Sequence, residues 1–177
     1  MLNSPKHIFC LSGSGRIRKS AFLQVVFIGL ALLYSTTASG ATKMPDFALP
    51  NILNEKTISS SSFEGKVLLL TFFATWCPPC VEEVPTLIKL QEKYGTADFS
   101  VVGFSVDQGG AAVVRKFVDK KSINYPVALA DARTMQDFGG VYGIPVSFLV
   151  NKEGNVVKKY TGYIPQSVLE KDLKKIL

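Results

Sequence analysis

The pentapeptide Trp76-Cys77-Pro78-Pro79-Cys80 constrains this chain more than any other stretch of it. It follows a near-continuous apolar run, Val67–Ala74, and precedes an amphipathic one, so it marks the point where a buried strand gives way to a helix. A cysteine at a helix N-terminus faces unpaired backbone N–H groups and the positive end of the macrodipole, and both favour thiolate over thiol. Cys77 is therefore expected to be the more reactive sulfur. Cys80 lies one turn further in, placed to close a disulfide on it. A thiol pair in that setting is suited to making and breaking disulfides.

Residues 1–40 do not read as part of a fold. Lys6, Arg16, Arg18 and Lys19 form a basic start without an acidic residue, an apolar run from Ala21 to Tyr34 follows, and Ser35 to Ala41 is small and polar. Charged, apolar, small is the plan of a secretory signal. The apolar run, about 14 residues and interrupted by Gln24, is short of the roughly 20 that a spanning helix needs. A cleaved signal peptide is the first reading and an uncleaved N-terminal membrane anchor the second. Either one places residues 41–177 as a single domain outside the cytoplasmic membrane, in a bacterial periplasm or on the membrane's outer face.

That segment also distorts the charge. Of the 20 Lys and Arg, four lie in residues 1–40, whereas all 14 Asp and Glu lie beyond, so the remainder carries only a net +2. The high pI belongs mostly to the N-terminus, and a nucleic-acid surface is not supported. The one histidine, His7, also falls there. A domain without imidazole excludes Ser-His-Asp and Cys-His catalysis and any histidine-ligated metal site. Cys10 reads as a thiol with no role, which leaves Cys77 and Cys80 as the only sulfur pair of the domain.

Hydrophobic periodicity and turn chemistry predict the order of elements that follows. The stretch from Ala41 to Ser62 is an irregular lead-in with one short strand near Lys56–Ile58. Strands are expected at Val67–Ala74, Ser100–Val106, Pro126–Ala130, Pro145–Val150 and Val156–Thr161. Helices are expected at Pro78–Tyr94, Ala111–Lys121, Thr134–Tyr142 (ended by Gly143) and from Pro165 to Leu177. Alternating strands and helices closed by a hairpin and a helix predict an α/β fold with a central mixed sheet.

The helix after the thiols carries a second signal. At roughly 100° per residue measured from Cys80, Val84, Leu87, Ile88 and Leu90 define an apolar arc, while Glu82, Lys89 and Lys93 fall on the opposite side. Glu83 falls near −60°, inside the apolar arc. A carboxylate there is expected to be half buried with its pKa pushed up, able to exchange a proton with Cys80. The plainer reading is a helix N-terminal acid reaching out to water.

From about Met44 onward the chain resembles the thioredoxin superfamily, and more closely the TlpA/ResA-like thiol-disulfide oxidoreductases. The matching residues are Pro45-Asp46-Phe47, Gly65-Lys66, Phe73-Ala74-Thr75-Trp76-Cys77-Pro78-Pro79-Cys80, Glu83 with Pro85, Gly143-Ile144-Pro145-Val146-Ser147-Phe148-Leu149-Val150, Gly154 and Gly162. The resemblance implies a thioredoxin-like fold with helices on both faces of the sheet. It implies that Pro145 is a cis-proline facing a redox-active Cys77–Cys80 disulfide, that Ile144 offers backbone to an extended substrate strand, and that Trp76 is a lid over the sulfurs. Pro85 would kink the helix. No cofactor beyond the disulfide is implied. The partners would be protein disulfides, with apocytochrome c the leading candidate, and a membrane electron donor.

Two departures from cytoplasmic thioredoxins matter. Their buried strand aspartate, six residues before the first cysteine, is here Thr71, which leaves Glu83 as the substitute proton acceptor. Both residues between the thiols are proline and supply no N–H, so the Cys77 pKa is expected near about 6.5–8.5, which favours a reductant over a strong oxidant. Three other readings stay open. A peroxiredoxin-like peroxidase needs a Thr three residues before its cysteine, where this chain has Ala74. A copper(I)-binding module could use two thiolates. A purely structural disulfide closing so small a loop would stabilise little.

Overall fold

The computed structural model describes residues 42–95 and 98–177. The predicted signal or anchor at residues 1–40 lies outside the described residues, as does Cys10. Among the described residues there are eight strands: β1 (Thr42–Lys43), β2 (Ala48–Pro50), β3 (Thr57–Ser59), β4 (Val67–Phe73), β5 (Phe99–Ser105), β6 (Val127–Leu129), β7 (Val146–Val150) and β8 (Asn155–Thr161). The same residues form the α-helices α1 (Pro78–Tyr94), α2 (Ala111–Lys121), α3 (Ala132–Asp137) and α4 (Gln166–Leu173).

β4 is the middle of the molecule. Every residue in it is buried, so its side chains alternate between two cores rather than between core and water. It pairs in parallel with β5 and antiparallel with β7, within a six-stranded mixed sheet of order β1-β8-β7-β4-β5-β6. Val67, Leu69 and Phe73 face a core built with Val84, Leu87 and Leu90 of α1, Val114 and Val118 of α2, and Leu169 and Leu173 of α4. Leu68, Leu70 and Phe72 face the other core, with Phe104, Phe148, Phe138 and the lead-in residues Phe47, Leu49, Ile58 and Phe63.

Both faces of the sheet are covered, as expected, but unequally. Three helices cover one face. The other is closed by α3 and by the β2–β3 hairpin with the 3₁₀ turn Ser60–Phe63 behind it. The lead-in is thus a paired hairpin, not one short strand in an irregular stretch: Ala48, Leu49 and Pro50 pair with Ser59, Ile58 and Thr57. Its two strands are three residues each, too short for alternation to show.

α3 corrects another expectation. It spans Ala132–Asp137, not Thr134–Tyr142. Asp131 caps its start by accepting the Thr134 N–H at 2.7 Å, and Gly139 and Gly140, both at positive φ (85° and 74°), end it before Val141. The last helix also stops early, at Leu173, where i→i+3 bonds such as Lys175 N–H to the Asp172 carbonyl tighten the chain. α1 runs unbroken through Pro85, whose missing N–H interrupts the ladder at one rung only.

Candidate active site

The thiol motif sits where the all-buried strand β4 runs out. The Cys77 N–H donates to the Ala74 carbonyl (3.2 Å), making a turn, and the Val81 N–H donates to the Cys77 carbonyl (3.0 Å), which opens α1. Cys77 is the N-cap residue, with extended backbone (φ −89°, ψ 109°). Pro78 and Pro79 fill the first helical positions, where a backbone N–H has no intrahelical partner to lose. Cys77 and Cys80 are joined as a disulfide with Cα atoms 5.3 Å apart. Both residues are nearly covered, at 4% and 2% exposure.

The cover over Cys77 comes from the loop ahead of β7. The Ile144–Pro145 peptide is cis, as the resemblance implied, and the Ile144 carbonyl oxygen lies 3.9 Å from the Cys77 Sγ. Pro145 is buried, and its own carbonyl accepts the Gly162 N–H at 2.8 Å. Gly162 has φ +82°, a conformation that side chains rarely adopt, so this contact depends on glycine. Trp76 lies beside the disulfide in sequence, but at 68% exposure most of its indole stands in solvent rather than folded down as a lid.

Glu83 lies one turn beyond Cys80 on the buried side of α1 and is 1% exposed, more deeply buried than the half-buried position expected of it. Its Oε1 accepts the Ile164 N–H (3.2 Å). Burial pushes its carboxyl up to about 7, and that hydrogen bond opposes the shift without cancelling it. Segment 162–164 therefore serves both halves of the site: Gly162 holds the Pro145 carbonyl, and Ile164 holds Glu83. Tyr125, 2% exposed, is close enough for Glu83 to act on it. Burial first, and the Glu83 carboxylate second, push its phenol above the usual range.

The structure brings Cys77, Cys80, Ile144 and Pro145 together and buries Glu83 one turn behind them. At the position of the missing aspartate, Thr71 (1% exposed) accepts the Ser147 hydroxyl proton at 2.9 Å across the β4–β7 pair, so no charge is buried there. Three contributors escaped the sequence reading: the backbone N–H of Ile164, the phenol of Tyr125, and Asp107. Only Asp107 left a trace in the sequence, as a carboxylate two residues past an all-buried strand. Among the described residues, no three His, Cys, Asp or Glu side chains converge as a metal site.

A strand-to-helix cysteine pair beside a cis-proline loop, on a mixed sheet covered on both faces, defines a thiol-disulfide oxidoreductase of thioredoxin-like fold. A sequence profile of the Redoxin family matches residues 39–177, and the chain belongs to that family. It is 33% identical over 131 residues to the thiol-disulfide oxidoreductase ResA of Bacillus subtilis, covering 74% of this chain and 72% of the relative. The protein of the same name from Bacillus anthracis is 33% identical over 132 residues, 75% of each chain. Among solved structures, the thiol:disulfide interchange protein DsbE from Chlorobium tepidum superposes with a TM-score of 0.71 at 31% identity, covering 77% of this chain and 96% of that one.

Proposed function

We propose that this enzyme is an extracytoplasmic reductant of protein disulfides. Residues 1–40 export it, as a cleaved signal or a retained tether, and residues 41–177 form the catalytic domain. The observation that carries the reading is the Cys77–Cys80 pair at the start of α1, with the Ile144 carbonyl at one sulfur and Glu83 buried one turn behind the other.

In the reduced enzyme, the Cys77 thiolate attacks one sulfur of a substrate disulfide. That S–S bond breaks, a new bond joins Cys77 to the attacked sulfur, and the displaced sulfur leaves as a thiolate that takes up a proton. Glu83, poised near neutrality, accepts the Cys80 proton. Cys80 then attacks the Cys77 Sγ, the mixed disulfide breaks, and the second substrate thiol departs. Two electrons have moved to the substrate, and the enzyme holds the Cys77–Cys80 disulfide. Ile144 and Pro145 offer backbone to an extended substrate segment, and the exposed Trp76 indole beside Cys77 is free to contact it. No added cofactor takes part.

The direction rests on the two prolines, which give Cys77 no intervening N–H donor and so little extra stabilisation of its thiolate. A membrane dithiol donor restores the reduced form, because an oxidising compartment supplies no reducing pool. Cysteines of apocytochrome c are the leading substrate.

Two variants test the proposal in an insulin-reduction assay. Cys77→Ser drops to the uncatalysed background, and Cys80→Ser accumulates a mixed disulfide on Cys77 that mass spectrometry detects. Reduction of insulin by Cys77→Ser at the parent's rate refutes the mechanism.

A further inference from the structure

The ends of β4 and β5 are tied together by a carboxylate that the thiol chemistry above leaves unused. Asp107 is 5% exposed. Its Oδ2 accepts the Thr75 backbone N–H (2.9 Å) and the Ser105 hydroxyl (2.7 Å), and its Oδ1 accepts the Thr75 hydroxyl (2.6 Å). The Asp107 N–H returns to the Ser105 Oγ at 3.1 Å, which closes the network on itself. No Lys or Arg among the described residues makes an ion pair with it. A buried carboxylate without a cation persists only where donors satisfy it, and every donor here comes from the turn before the thiols or from the adjacent strand.

Thr75 is the second residue of the turn that the Cys77 N–H closes on Ala74. Holding its N–H and its hydroxyl with one carboxylate fixes that turn against β5. Thr75 is also two residues from Cys77, so their Cα atoms are at most about 7.6 Å apart. The carboxylate that grips Thr75 therefore lies close to the turn that carries Cys77, in a buried setting where a like charge disfavours a thiolate. The other titratable groups buried on or near this face are Glu83 and the Tyr94 hydroxyl of α1, Tyr125 ahead of β6, Tyr160 of β8 and Asp172 of α4. The last is neutralised by Lys158 and Lys175.

We infer that Asp107 is a positioning residue for the thiol pair: through Thr75 it fixes the turn that presents Cys77, and it holds a negative charge behind that turn. The first role raises the effective concentration of Cys77 toward Cys80. The second keeps the Cys77 thiolate from becoming too stable and so holds the couple reducing, a consequence that rests on the reductant reading above. The positioning itself does not.

The test uses the full chain and small thiol reagents only. Asp107→Asn keeps the network, with its carbonyl oxygen in place of Oδ2 and its amide donating to the Thr75 Oγ, but removes the charge. The pH profile of Cys77 alkylation by iodoacetamide then moves down by at least about 0.5 unit, roughly threefold more thiolate below the midpoint. Thr75→Val removes the hydroxyl contact. It lowers the effective concentration of the pair, read from the glutathione equilibrium, by at least threefold, and Thr75→Ser restores it. An Asp107→Asn profile superimposable on the parent's, with Thr75→Val and Thr75→Ser alike in the glutathione equilibrium, overturns the inference. Neither readout needs a protein substrate, so a parent chain that fails to reduce insulin defeats the proposed function while these measurements still decide the role of Asp107.

Discussion

The Glu83 carboxylate on α1 accepts the backbone N–H of Ile164, 81 positions later in the chain, at 3.2 Å. That contact joins the helix of the thiols to the segment that also grips the cis-proline loop. It places a carboxyl of pKa about 7 in an interior where water cannot solvate its charge.

The first prediction concerns Glu83 and pH. Its folded pKa, about 7, lies above the ordinary value of 4.5, so the folded state binds the proton more tightly than the unfolded state does. Stability from this group is fully present below pH 4.5 and is lost as pH rises through 7. The loss is on the order of 3 kcal/mol. Urea unfolding at pH 5 and pH 8 will show it in the parent chain, while Glu83→Gln will be flat in this respect. The same variant will lose the limb of the thiol-exchange pH profile near neutrality.

A second prediction follows from Thr71 and Ser147, both 1% exposed and hydrogen-bonded to each other. Removing one hydroxyl strands the other in the core, whereas removing both strands nothing. Thr71→Val and Ser147→Ala should each cost about 1–2 kcal/mol, and the double variant clearly less than their sum. A double-mutant cycle in guanidinium reads the coupling. Additive losses would mean the two hydroxyls do not depend on each other.

Phe72 anchors the core on the other face. It is 0% exposed, with Phe104, Phe138 and Phe148 at ring-centroid distances of 5.2, 5.3 and 6.1 Å. Phe72→Ala should destabilise the fold by about 3–5 kcal/mol. A loss under about 1 kcal/mol in chemical denaturation would contradict this close packing.

The cap of α3 gives a fourth prediction. Asp131 accepts the Thr134 N–H, and this bond holds its carboxyl below the usual range, so the stability it adds is present above the ordinary carboxylate pKa and fades as pH falls through the lowered one. Asp131→Ala should cost about 1 kcal/mol at neutral pH, Asp131→Asn much less. Thermal melts of the two variants side by side will separate them.

What the sequence determined by itself was local. The Val67–Ala74 run, the Cys-Pro-Pro-Cys start of a helix, the apolar arc of α1 with Glu83 inside it, and α2 at Ala111–Lys121 all follow from periodicity and from the residue types that begin helices, which neighbours along the chain can express. What lies opposite each of these came from the tertiary structure, apart from the cis-proline loop at the thiols, which the family resemblance already implied. The Ile144 carbonyl at Cys77, the Ile164 N–H on Glu83, the Ser147 hydroxyl on Thr71 and the Asp107 clamp on Thr75 join residues between 32 and 81 positions apart. The β2–β3 hairpin stayed illegible for a related reason: strands of three residues carry too little pattern, and burial against the sheet, not their own sequence, stabilises them. Periodicity tells which side of an element turns inward; only packing tells what it meets there.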